Sequence, residues 1–165
     1  MLTGDRVTLR PATAEDLPEL TRIRALPPVY AWWGAGEVAD ELADPQEHVL
    51  AVVLDGRVVG AVHWHGEDEP DFRHASIDVY LDPAVHGRGV GTDAVRTVAR
   101  YLVGEHAYHR LTIDPAADNA AAIRCYTKVG FRPVGVLRQY WRDPRGQWRD
   151  GLLMDLLAEE LFPPG

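Results

Sequence analysis

Three glycines in alternation, Gly87, Gly89 and Gly91, stand directly ahead of a stretch whose apolar residues Ala94, Val95, Val98 and Leu102 recur at helical spacing. Glycine tolerates the left-handed backbone, so His86-Gly87-Arg88-Gly89-Val90-Gly91 can curl tightly and turn several N–H groups toward one anion. The helix that follows adds the positive end of its dipole, and Arg88 adds a full charge. This is the local chemistry of phosphate binding. One alternative is a dinucleotide-binding turn, because Gly89, Gly91 and Ala94 fit Gly-x-Gly-x-x-Ala and Asp114 lies further on. In that fold the glycines follow their strand at once, in the first strand–helix unit. Here Asp82-Pro83-Ala84-Val85-His86 intervenes, and three antiparallel-looking strands come first. The turn belongs to a different arrangement.

The remaining elements define that arrangement. Arg6 to Arg10 alternates as a short strand. Thr13 with Asp16 forms a capping-box start for a helix to about Ala25, which Pro27-Pro28 is expected to stop. A second short helix fits Glu37 to Ala43. His48 to Leu54 and Arg57 to His65 flank Asp55-Gly56, a strong hairpin signal. A strand from His74 to Leu81 precedes the glycine turn and its helix. Arg110 to Asp114 is a strand, and Pro115 and Asn119 open a helix that Gly130 ends. Phe131 to Arg142 and Trp148 to Leu157 form a last hairpin, with Trp141 and Trp148 expected as a cross-strand pair. The fold class is α/β (α+β), with a single mixed, mostly antiparallel sheet of about seven strands.

A chain of 165 residues, 46% of them hydrophobic, suits one domain, residues 1–165, able to bury about 70% of its surface. The longest apolar runs, Val49 to Leu54 and Leu152 to Leu157, are far too short to span a membrane. The first residues lack a signal-peptide pattern, and the lone Cys125 permits no internal disulfide. A cytoplasmic protein, monomer or homodimer, with no membrane partner is expected. The net charge is −8 and is unevenly spread. Glu37 to Asp71 holds ten acids against Arg57 alone, whereas His86 to Arg145 holds ten bases and five acids. One half suits a cationic partner and the other an anionic one, while duplex nucleic acid calls for a basic domain and is excluded.

Asp82-Pro83 through His86-Gly87-Arg88-Gly89-Val90-Gly91-Thr92 resembles the acetyl-CoA pyrophosphate loop of the GNAT acetyltransferases, with His86 where that pattern has Gln or Arg. Asn119-Ala120-Ala121-Ala122-Ile123-Arg124-Cys125-Tyr126-Thr127-Lys128-Val129-Gly130-Phe131 resembles the second signature of the same family. A closer resemblance is to aminoglycoside 6′-N-acetyltransferases, carried by Thr112-Ile113-Asp114-Pro115, Ile123-Arg124-Cys125-Tyr126, Trp32-Trp33-Gly34 and Ile77-Asp78. Ribosomal-protein N-terminal acetyltransferases share several of these features. The resemblance implies the GNAT fold, with helices on both faces of the sheet, and acetyl-CoA as co-substrate with no metal.

Acetyl transfer to an amine needs a base for the incoming ammonium and favours an acid for the departing thiolate. Asp78 alternates with Ile77, Val79 and Leu81, so it shares a strand face with Tyr80 and either pairs structurally or faces a cleft. The resemblance makes Asp78 the base and Tyr126 the acid. It further implies that the backbone of Val79 and Leu81 serves the thioester and pantetheine, and that His86, Gly87, Arg88, Gly89, Gly91, Thr92 and Asn119 belong to the cofactor site. A cationic small-molecule amine would meet an acidic, aromatic pocket for which Trp32, Trp33, Glu69, Asp71 and Asp114 are candidates. A protein N-terminus or a small polyamine is the alternative acceptor. His63 and His65 share a strand face near His74, but no third metal ligand is fixed. A non-catalytic acetyl-CoA-binding module would need neither Asp78 nor Tyr126.

Overall fold

Residues 1–161 are described by the computed structural model. Eight strands form one sheet: β1 Leu2–Thr3, β2 Thr8–Pro11, β3 His48–Leu54, β4 Arg57–Glu67, β5 His74–Leu81, β6 Arg110–Ile113, β7 Arg132–Arg142 and β8 Trp148–Leu157. Their spatial order is β1-β2-β3-β4-β5-β6-β8-β7. Every neighbouring pair is antiparallel except β5 with β6. The added strand relative to the sequence expectation is the two-residue β1, too short to show an alternating pattern.

Helices cover both faces. On one face lie α1 Leu17–Ala25, α2 Pro27–Trp33 and α3 Val38–Ala43, whose Leu20, Ile23, Val29 and Val38 pack on Val49, Ala61 and Tyr80 of the sheet. On the other lie α4 Val90–Gly104 and α5 Ala120–Val129. Val90, Ala94, Val95, Val98, Ala99 and Leu102 of α4 form a continuous buried stripe against Val62, Ile77 and Leu111. A short α6, Ala158–Leu161, follows β8.

Pro27-Pro28 ends α1 at Ala25, as expected, and also starts a further helix, α2. Leu26, ahead of a proline, takes an extended ψ of 133° and breaks α1 there. The two prolines then occupy the first turn, where a missing N–H costs nothing and a fixed φ is already helical. The Asp55-Gly56 hairpin forms as expected, with positive φ at both residues.

Trp141 and Trp148 do not pair. The register sets Trp141 against Arg149 and Trp148 against Arg142, so the two indoles leave opposite faces of the ribbon. Trp141 instead meets Trp32 of α2, with ring centroids 6.1 Å apart.

The feature that creates a site is a divergence of strands. β5 and β6 pair only at Ala75 with Leu111 and Ser76 with Thr112. Beyond that point β5 runs on to Leu81 beside β4 alone, which opens a gap in the middle of the sheet.

Candidate active site

Asp78 sits on β5 just past the last β5–β6 pair, opposite His63 of β4. Directly opposed residues share a face, so Asp78 looks toward α1–α3 with Tyr80 and His63. Asp78 is exposed on its strand, yet its carboxyl stands where protein crowds around it. That burial, together with the charges of Asp114 and Glu47, pushes its pKa up to about 7. A carboxylate so placed is half ionised at neutral pH and can take a proton.

Asp114 lies one residue beyond β6, on the far side of the gap. Burial raises its pKa, against the hydroxyl of Tyr140, which donates to Oδ2 and favours the anion. Glu47, at the approach to β3, stands 3.8 Å from His63 Nδ1, and Glu41 of α3 stands 3.7 Å from His63 Nε2. His63 does not neutralise them. Its burial, aided by the nearby Arg24, outweighs the pull of Glu41 and pushes its pKa down to about 4, leaving a neutral imidazole. Arg24 is taken up by Glu41, with Nη1 at 2.9 Å from Oε1. Glu47, Asp78 and Asp114 therefore present net negative charge to the cleft.

Aromatic rings wall it. Trp33 packs edge-on against Tyr80 at 4.8 Å and lies 5.1 Å from His63, with the Arg24 guanidinium 4.7 Å over its ring. Trp32 is more exposed and reaches Trp141 across the cleft mouth. Buried beneath, Arg24 Nε, His63 Nε2 and the Tyr80 hydroxyl have no protein hydrogen-bond partner, an uncommon state for interior polar atoms.

On the opposite side of the gap is Tyr126 of α5, buried at 7% exposure and packed against Phe131 at 6.4 Å. Burial, then Cys125, Asp78 and Asp114, drive its pKa well above the ordinary phenol value. It remains protonated, as a proton donor must. The Asp82 N–H donates to the Val59 carbonyl on β4 at 2.7 Å. Successive strand amides alternate in direction, so those of Val79 and Leu81 point into the gap.

The glycine turn lies where β5 gives way to α4. Gly87 and Gly89 adopt φ of +75° and +76°, a conformation that side-chain-bearing residues resist. No atom lies within 4 Å of where a Cβ on Gly87 would be, and Gly89 is the residue that caps α4. Gly87, Arg88 and Gly89 are exposed, so their backbone is accessible at the helix N-terminus. This open cradle fits a diphosphate. Gly91 lies in the first turn of α4, and the Thr92 hydroxyl donates to Cys125 Sγ at 3.4 Å, tying α4 to α5. His86 Nε2 is 3.1 Å from the Leu81 carbonyl, and Asn119 caps α5 by accepting from the Ala122 N–H at 3.2 Å.

The structure does not bring Glu69 and Asp71 to the cleft. Their exposed loop enters β5 at His74, four residues or about 13 Å of strand from Asp78. There Tyr108, packed on the α4 side, donates to the neighbouring Asp68 at 3.2 Å. The histidines disperse as well: His65 turns to the Gln46 carbonyl and His74 to that of Phe72. Glu47, Tyr140 and Trp141 are the cleft residues that sequence reasoning missed. Only the acidity of the segment around Glu47 hinted at any of them.

A family model described as the acetyltransferase (GNAT) family matches residues 10–131. The chain belongs to the GNAT family. It is an acetyl-CoA-dependent N-acetyltransferase. This GNAT protein is 31% identical over 159 residues to aminoglycoside N(6′)-acetyltransferase type 1 of Klebsiella pneumoniae, a match covering 82% of this chain and 78% of that protein. It is also 31% identical over 112 residues to the N-alpha-acetyltransferase RimI of Mycobacterium tuberculosis, covering 67% and 68%. A solved structure of AAC(6′)-Ib in complex with paromomycin and acetyl-CoA superimposes with a TM-score of 0.78 at 26% identity, covering 96% of this chain and 97% of that one.

Proposed function

We propose that residues 1–165 act as one acetyltransferase domain that moves an acetyl group to a primary amine of a polycationic small molecule, the 6′-amine of an aminoglycoside. The observation that carries this reading is Asp78, a carboxyl held near a pKa of 7 at the strand gap by burial and two neighbouring acids. The likeness to the Klebsiella aminoglycoside acetyltransferase supports the acceptor class.

The acceptor arrives as an ammonium, drawn by the charge of Glu47, Asp78 and Asp114. Asp78 takes its proton and so frees the lone pair for attack on the thioester carbonyl. The Val79 and Leu81 amides hold the donor in the gap, one of them positioned for the charge that develops on the carbonyl oxygen. Tyr126 gives its proton to the departing sulfur. The Gly87–Gly89 backbone grips the diphosphate, which fixes the thioester beside Asp78. Cys125 takes no part, because its burial raises its pKa away from the thiolate form. Trp32, Trp33 and Trp141 wall the sugar rings and stack on cationic groups.

The likeness to RimI supports a second acceptor, a protein N-terminus. Release of free thiol from acetyl-CoA, measured across aminoglycosides with and without a 6′-amine, N-terminal peptides and polyamines, separates the two. Turnover confined to aminoglycosides that carry the 6′-amine is the expected result. Turnover with peptides alone would replace this reading by the second.

A further inference from the structure

We infer that Arg6 is a second cationic ligand for the phosphates of the acyl donor, supplied by the N-terminal segment and held in place by Asp93. Arg6 lies in the turn between β1 and β2, far in sequence from the glycine turn, and no signature of the chain marks it. In the fold the two meet: Arg6 Nε is 3.9 Å from the position a Cβ on Gly89 would take. The guanidinium thus stands against the residue that caps α4, where the helix N-terminus and the left-handed glycines converge.

This placement is enforced. The Asp93 carboxylate, in the first turn of α4, accepts three backbone N–H groups from the N-terminal segment: Asp5 at 2.9 Å, Arg6 at 2.7 Å and Val7 at 2.9 Å. Asp93 is 6% exposed, and those hydrogen bonds lower its pKa despite the burial. An acid in this turn would otherwise compete with an incoming anion for the helix end. With its oxygens engaged by the Asp5–Val7 backbone, it works as a clamp that presents the Arg6 side chain. Among the described residues, Arg6 itself makes no side-chain hydrogen bond or ion pair, and it is exposed. A planar guanidinium that is not consumed by the fold and lies beside an anion cradle suits bidentate phosphate recognition. Arg6 and Arg88 then serve the diphosphate from two different segments of the chain.

The inference rests on the glycine turn being the diphosphate site, and the test keeps the two apart. Equilibrium affinity is measured for acetyl-CoA and for S-acetylpantetheine, which lacks the diphosphate and nucleotide, with wild type, Arg6→Ala and Arg6→Lys. Wild type should prefer acetyl-CoA strongly. Arg6→Ala should weaken acetyl-CoA by about tenfold, the size of one lost charge-assisted contact. It should leave acetylpantetheine and the melting temperature unchanged, with Arg6→Lys recovering part of the loss. If Arg6→Ala binds acetyl-CoA as wild type does, or loses both ligands equally, the assignment of Arg6 is overturned while the turn stands. If wild type binds both ligands alike, the turn itself is misassigned and Arg6 falls with it.

Discussion

The hydroxyl of Tyr140 on β7 donates to the carboxylate of Asp114 at the end of β6, two strands away in the sheet. The backbone is shaped to allow it. β7 slips register between Leu137 and Trp141, and Gln139 takes a φ of +49°, with its N–H donated to Asp150 Oδ1 at 2.9 Å. Gly151 lies beneath the Tyr140 ring, where a Cβ would come within 2.8 Å of Cδ2. The irregularity turns Tyr140 and Trp141 into the cleft, consistent with bulges that re-aim side chains near active sites.

Tyr140→Phe removes the donor that favours the Asp114 anion and leaves the ring in place. Asp114 then holds a proton more readily and offers a weaker counter-charge to an ammonium. The Michaelis constant for the amine should rise by roughly threefold to tenfold, below the full value of a hydrogen bond to a charged group because the site is partly solvated. The constant for acetyl-CoA should not move. Steady-state kinetics with each substrate varied in turn checks this.

Tyr126→Phe keeps the buried ring against Phe131 and deletes only the proton donor. A loss of about tenfold in turnover is expected, smaller than removal of a base, because a thiolate can depart without a proton at some cost. Acetyl-CoA affinity should stay within about twofold, an outcome calorimetry would read directly.

Asp78→Asn should make the protein more stable at neutral pH. A carboxyl whose native pKa is raised to about 7 keeps its proton in the fold long after the unfolded chain, near pH 4, has lost it. Its contribution to stability is present below about pH 4 and is lost as the pH rises through about 7, as linkage requires. Melting curves should show the variant above wild type at about pH 8, with the difference vanishing near pH 4. Such a gain alongside lost turnover is the usual trade at a functional site.

The sequence revealed the parts of this fold that depend on neighbours in the chain. The α4 stripe, the Asp55-Gly56 turn and the Thr13–Asp16 cap, where Asp16 accepts from the Thr13 N–H at 2.8 Å, are all local patterns. Asp78 could be placed on a strand face from alternation alone. What escaped depends on register and strand divergence. Trp141 meets Trp32 and not Trp148 because of a one-residue offset in a hairpin. Glu47 and Tyr140 reach the cleft from strands two places away from β5 and β6, and Glu69 and Asp71 stay outside it though closer to Asp78 in sequence. Pro27-Pro28 was legible as the stop of α1, but the start of α2 at the same prolines was not.

The pH dependence of kcat/KM for the amine, followed by thiol release at saturating acetyl-CoA in wild type and Asp78→Asn, tests the role of Asp78 most directly. Wild type should climb about tenfold per pH unit and level off above an inflection near pH 7, while Asp78→Asn should fall at least roughly 100-fold and lose that inflection. An Asp78→Asn enzyme that keeps the same inflection and wild-type turnover would contradict the account.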